Sequence, residues 1–286
     1  MSKSRRSLGG SARRAAVWVL LAAAAAGCLK AAALAGDKKK SRFHPPPPRT
    51  LPDKVERLAS QLLNTPLDES DPITRQIQQL VIGHLQDWTA AQTPASGPRD
   101  LPFDVRLRQE MEKGFSELQY PLVDQCVVFS QPWKGAILTG ASYTLGWSDY
   151  DRVNVVALFE THDAKTRLVG ADHFVPRTDL HYAFPPSPDA SSFRFLVYGT
   201  RLGKSQPRLS AILYGYDGET LKPLWQVRDL YDGKLELENG SVVIRYLKEE
   251  EYVREQAYNR KPPRHLAIYK PSPQGLSLVS DTETPF

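Results

Sequence analysis

The chain has 286 residues, 41% hydrophobic and 24% charged, a folded protein's composition with enough apolar material for a sizeable core and no need of disulfides or metal. Its net charge of +5 misleads about partners, because residues 1–42 hold ten Lys and Arg against one Asp and leave −4 for residues 43–286. A folded nucleic-acid binder needs a basic face, so no nucleic-acid partner is expected.

The first segment has the three parts of a secretory signal. A basic stretch runs to Arg14, an apolar stretch covers Ala15–Leu29, and small residues continue to Gly36. The apolar run is short of the roughly 20 residues needed to span a bilayer, and much of it is alanine. A cleaved signal is therefore expected rather than a permanent anchor. Ala25-Ala26-Gly27-Cys28 resembles the lipobox of bacterial lipoproteins, although that family prefers leucine where Ala25 stands. The resemblance implies a signal peptide over residues 1–27 and a lipid on the Cys28 thiol. It also implies membrane attachment in the cell envelope, on the outer membrane or its periplasmic face. The alternative is ordinary cleavage after Ala35, in "AALAGD", which gives a secreted or periplasmic chain. Ser4-Arg5-Arg6-Ser7-Leu8 resembles the start of a twin-arginine signal, but a second arginine pair at 13–14 favours an ordinary basic stretch. With Cys28 lipidated or removed, Cys126 has no partner and reads as a small buried hydrophobe in "QCVVF".

Residues 28–50 read as a lysine- and proline-rich tether, with the four prolines at 45–48 favouring extended polyproline II. A helical segment of about three helices is expected over residues 51–120. In the first, Val55, Leu58, Leu62 and Leu63 share a side. The second has Asp71 as N-cap and Pro72 in its first turn, with Ile73, Ile77, Leu80, Val81, His84 and Trp88 as its stripe. In the third, Leu107, Met111, Phe115 and Leu118 are in phase. His84 is read as a hydrogen-bonded residue at the core edge.

Residues 121–286 read as a mostly antiparallel β domain with one short charged helix near 248–259. Many strands are apolar on both faces. In "FRFLVY", Phe193, Phe195 and Val197 point one way while Leu196 and Tyr198 point the other, so the sheet should be covered on both sides. Asp217-Gly218, Asp232-Gly233 and Asn239-Gly240 are expected to form hairpin turns. That makes "PLWQVRDL" and "KLELENG" separate strands. The two "YDG" copies lack the sustained period of a propeller. The fold class is α+β, an N-terminal helical segment packed with an antiparallel β-sandwich or meander.

Candidate chemistry is sparse. Glu160 and His162 share a strand face and form at most half a metal site, since metal sites usually need three or four ligands. With Asp163–Thr166 as the turn, His162 lies opposite Arg167 and Glu160 opposite Val169, with Asp172 and His173 too far along to join them. Trp133, Trp147 and Tyr150, with Asp149 and Asp151, are candidates for stacking on and hydrogen-bonding a sugar or other small ligand. No catalytic residues, resident metal or cofactor are expected. The favoured function is a lipid-anchored envelope protein with a non-catalytic scaffolding or protein-interaction role. A glycan or small-ligand module is second and a hydrolase third.

Overall fold

The computed structural model describes residues 47, 50–66, 69–91, 101–116, 123–145, 153–163, 165–174, 178–201 and 205–284. Among them are four helices, α1 (Leu51–Leu63), α2 (Asp71–Ala90), α3 (Phe103–Ser116) and α4 (Glu249–Ala257). One antiparallel sheet has the order β1 (Val123–Trp133), β2 (Ala136–Leu145), β3 (Val153–His162), β4 (Lys165–Phe174). The other runs in sequence from β5 (Thr178–Ala183) through β6 (Phe193–Arg201), β7 (Arg208–Tyr216), β8 (Leu221–Glu238), β9 (Ser241–Leu247) and β10 (Arg264–Ser272) to β11 (Gly275–Thr284). The chain is thus an α+β protein, mostly β, and each sheet is a meander.

Helix α1 starts on a capping box. The Thr50 hydroxyl accepts from the Asp53 N–H, the Asp53 carboxylate accepts from the Thr50 N–H, and Pro52 fills the first turn. Its buried line is Val55, Ala59 and Leu62, while Leu63, expected inside, is exposed. In α2, Ser70 rather than Asp71 is the N-cap residue, so the helix starts one residue earlier than expected, with Asp71 and Pro72 as its first helical residues. An acid there still suits the positive end of the helix dipole. The buried line of α2 is Ile77, Gln78, Val81, Leu85 and Thr89, rotated from the predicted stripe because the helix packs against both α1 and the β3–β4 pair.

Three cores separate the layers. Helices α1–α3 cover one face of the four-stranded sheet, where Ile77, Leu85, Leu107 and Met111 meet Val155, Ala157 and Phe159. The opposite face presents Val156 and Leu158 to Phe195, Val197, Ile212 and Tyr214 of the second sheet. The run "VVALF" in β3 is therefore buried on both faces, which its unbroken apolarity requires. The far face of β6 and β7, with Leu196, Leu209 and Leu213, packs on Leu235, Val242, Ile244 and Leu276. Those residues belong to the same seven-stranded sheet, which must fold back on itself.

The fold-back is made in β8. Its first part pairs with β7 and its second with β9, and the register shifts between Tyr231 and Lys234. Asp229 (φ 56°) and Asp232 (φ 42°) take left-handed backbone there. Asp232-Gly233 is thus a bulged corner inside one strand, not the predicted hairpin turn, and "PLWQVRDL" and "KLELENG" are one strand. A positive φ followed by glycine serves a bulge as readily as a turn. Gly233 is needed for contact, since a Cβ there would lie 2.6 Å from the Leu209 Cβ. The β8–β9 connection is Asn239-Gly240, both at positive φ as a two-residue turn demands.

Candidate functional site

Of the sequence-predicted site residues, Cys28, Trp147, Asp149, Tyr150 and Asp151 lie outside the described residues. Trp133 ends β1 half-buried, its ring 5.2 Å from that of Tyr216 and the Lys134 Nζ 4.4 Å from its centroid. Its indole N–H is buried without an acceptor among the described residues. The ring is thus packed between protein groups rather than offered as a stacking platform.

The Glu160–His162 half-site does not assemble. The β3–β4 turn is two residues shorter than expected, because β4 starts at Lys165 rather than Arg167, pairing Glu160 with Arg167 and His162 with Lys165. Glu160 accepts from the Arg167 Nε at 2.8 Å, and Arg167 also reaches the Tyr216 hydroxyl at 3.1 Å. This bond to Glu160 raises the Arg167 pKa. His162 turns to Asp163 at 2.8 Å in open solvent. His173 meets Gln78 of α2 at 2.6 Å, His181 stacks beside Tyr198, and His84 bridges to Glu110 of α3 at 3.1 Å. None of these histidines converges on Glu160.

A different cluster forms where α4, in the β9–β10 connection, brings Glu251 to the end of the last three strands. The register places Tyr246 of β9, His265 of β10 and Glu283 of β11 side by side in one row. His265 is 2% exposed. Its Nε2 lies 2.7 Å from a carboxylate oxygen of Glu251 on α4, and its Nδ1 lies 3.7 Å from Asp281. The Tyr246 hydroxyl donates to Asp281 at 2.8 Å. Burial, then Asp281, pushes the Tyr246 pKa well up, so that hydroxyl stays a donor across the physiological range. One ligand atom from each of Glu251, His265 and Glu283 lies within 4.8 Å of the other two. Chemically, the group is a buried imidazole with a carboxylate on each nitrogen and a third carboxylate nearby.

Sequence reasoning missed this cluster because its members come from a helix and two strands, and the helix "EEEYVREQA" reads only as a short charged element. One signal was available. Alternation in "RHLAIY" puts His265 on the same face as Ala267 and Tyr269, the side that turns inward. Beside α4, an open cleft of about 510 Å³ is lined by Gln206, Tyr252, Gln256 and Arg260 among others. None of the three clustered residues lines it.

No protein-family model matches the sequence, and comparison with curated proteins finds no match. Among solved structures, the chain is similar to MPT-4, a mannose phosphorylase from Leishmania mexicana, in complex with phosphate ion. The identity is 13%, the match covers 63% of this chain and 71% of that one, and the TM-score is 0.26. A likeness of that size carries no argument about fold or activity.

Proposed function

We propose that the protein is exported, anchored by a lipid on Cys28, and serves a non-catalytic scaffolding or protein-interaction role at the cell envelope. In this reading the segment 28–50 is a tether, and the helical layer over the β-sandwich is the body it holds off the membrane. The observation that carries the interaction role is on β11. Among the described residues this strand has β10 as its neighbour on one side and ends the sheet on the other. Its adjacent Leu278 and Val279 are each 55% exposed. Two neighbouring apolar side chains in water beside open backbone groups favour contact with another surface.

Intact-mass analysis of the mature protein tests the anchoring. A chain starting at Cys28 and carrying acyl groups is the expected result. An unmodified chain starting near Gly36 overturns it. A photoreactive residue at position 279, activated in intact cells, tests the partner role. One discrete adduct is expected, and an absence of adducts rejects the interaction surface.

A further inference from the structure

We propose that Glu251, His265 and Glu283 bind one divalent transition-metal cation of the Zn²⁺ class. The inference is independent of how the protein is anchored. One imidazole with two carboxylates is a donor set suited to Zn²⁺, and three protein ligands leave a position for water. Two donors on one tetrahedral ion at about 2.0–2.2 Å lie about 3.3–3.6 Å apart. The cluster's 4.8 Å limit calls for a closure of up to about 1.5 Å, which the exposed Glu283 side chain can make by turning.

The orientation of His265 separates this group from a chance gathering of surface acids. The ring is buried, and its Nε2 faces Glu251. Behind it stands Asp281, in turn held by the Tyr246 hydroxyl. Metal-binding histidines are commonly backed in this way, by a carboxylate near the second nitrogen that fixes the tautomer and raises the basicity of the ligating one. Glu283 stands directly across the ladder from His265; its exposed carboxylate makes no close hydrogen bond or salt bridge among the described residues, and its charge acts on Arg254 of α4. The cation would enter past Glu283, take the place of the hydrogen in the His265–Glu251 hydrogen bond, which leaves to water as H⁺, and lock α4 to β10 and β11.

The test is titration of the chelator-stripped full-length protein with Zn²⁺, and with Co²⁺ as a spectroscopic stand-in. The expected result is one Zn²⁺ per chain and a visible Co²⁺ ligand-field band. E283Q, at an exposed position outside the core, should weaken Zn²⁺ binding by at least about 10–100-fold, the loss seen when even an outer partner of a metal site is removed. E251Q should do the same, and D281N should show a smaller loss. Binding that survives E283Q unchanged belongs to other histidines and overturns the site. So does the absence of stoichiometric binding, or Mg²⁺ binding as tight as Zn²⁺. Should E251Q fail to fold, E283Q still decides.

Discussion

Gly140 stands directly across the ladder from Phe129, and the phenyl ring lies over it. A Cβ at position 140 would come within 2.0 Å of that ring, so the two positions are one packing unit. Phe129 also touches Tyr182, Phe193 and Phe195, which places the unit in the core between the two sheets. G140A should therefore lose about 1–3 kcal/mol, the usual cost of overpacking. Urea denaturation measures the loss, and F129L in the same chain should restore part of it. Additive losses in the double variant would show that the two positions are independent. The sequence presents "LTGASY" as an ordinary strand with a weak residue in it. Only the register reveals what the missing side chain makes room for.

At the scale of elements, the bend in β8 decides most. It carries the β10–β11 hairpin back over β6, where Arg194 closes the fold. Arg194 is 6% exposed and donates to the carbonyl oxygens of Ser272 at 2.7 Å and Pro273 at 2.8 Å. Burial lowers its pKa, yet the guanidinium keeps its charge because the ordinary value is so high. Asp232, in the bend, is paired with Arg264 of β10, so the corner is held from both ends. R194M keeps the length and apolar bulk but strands the carbonyls. It should cost about 3 kcal/mol, given the ~1.5–3 kcal/mol of a hydrogen bond to a charged group. Amide exchange of β10 and β11 should accelerate more than that of β1–β4, and uniform acceleration would count against a local clasp. The sequence marks Asp232-Gly233 as a place where the chain leaves regular extension. It does not say whether the chain then reverses or bends, because both need the same left-handed residue.

For the molecule as a whole, the four-stranded sheet is common to two of the three cores. Val155 and Phe159 face the helices, and Val156 and Leu158 face the second sheet. Neither layer can leave without exposing one face of β3. Variants keeping only Trp88, in the helical layer, or only Trp225, against Tyr269 in the third core, should give superimposable urea transitions. Separate midpoints would mean that the layers unfold independently. Much of this layering was legible. Continuous apolar strands such as "VVALF" and "FRFLVY" have no face left for water, and composition and short hairpin spacing make the chain mostly β. Of the Glu251–His265–Glu283 cluster only the inward face of His265 was legible, because residues local in sequence do not reveal which distant partners will face them. Glu251 and His265 are 14 residues apart, and Glu283 joins them through the β10–β11 register. By itself the sequence determined the class of fold, the turn-prone positions and which strands must be covered on both sides, since propensity and periodicity act within a few residues. The tertiary structure alone decided the corner in β8, the breakup of the Glu160–His162 pair and the meeting of Glu251, His265 and Glu283. Those depend on ladder register and bulge position, where a shift of one residue turns a side chain to the other face.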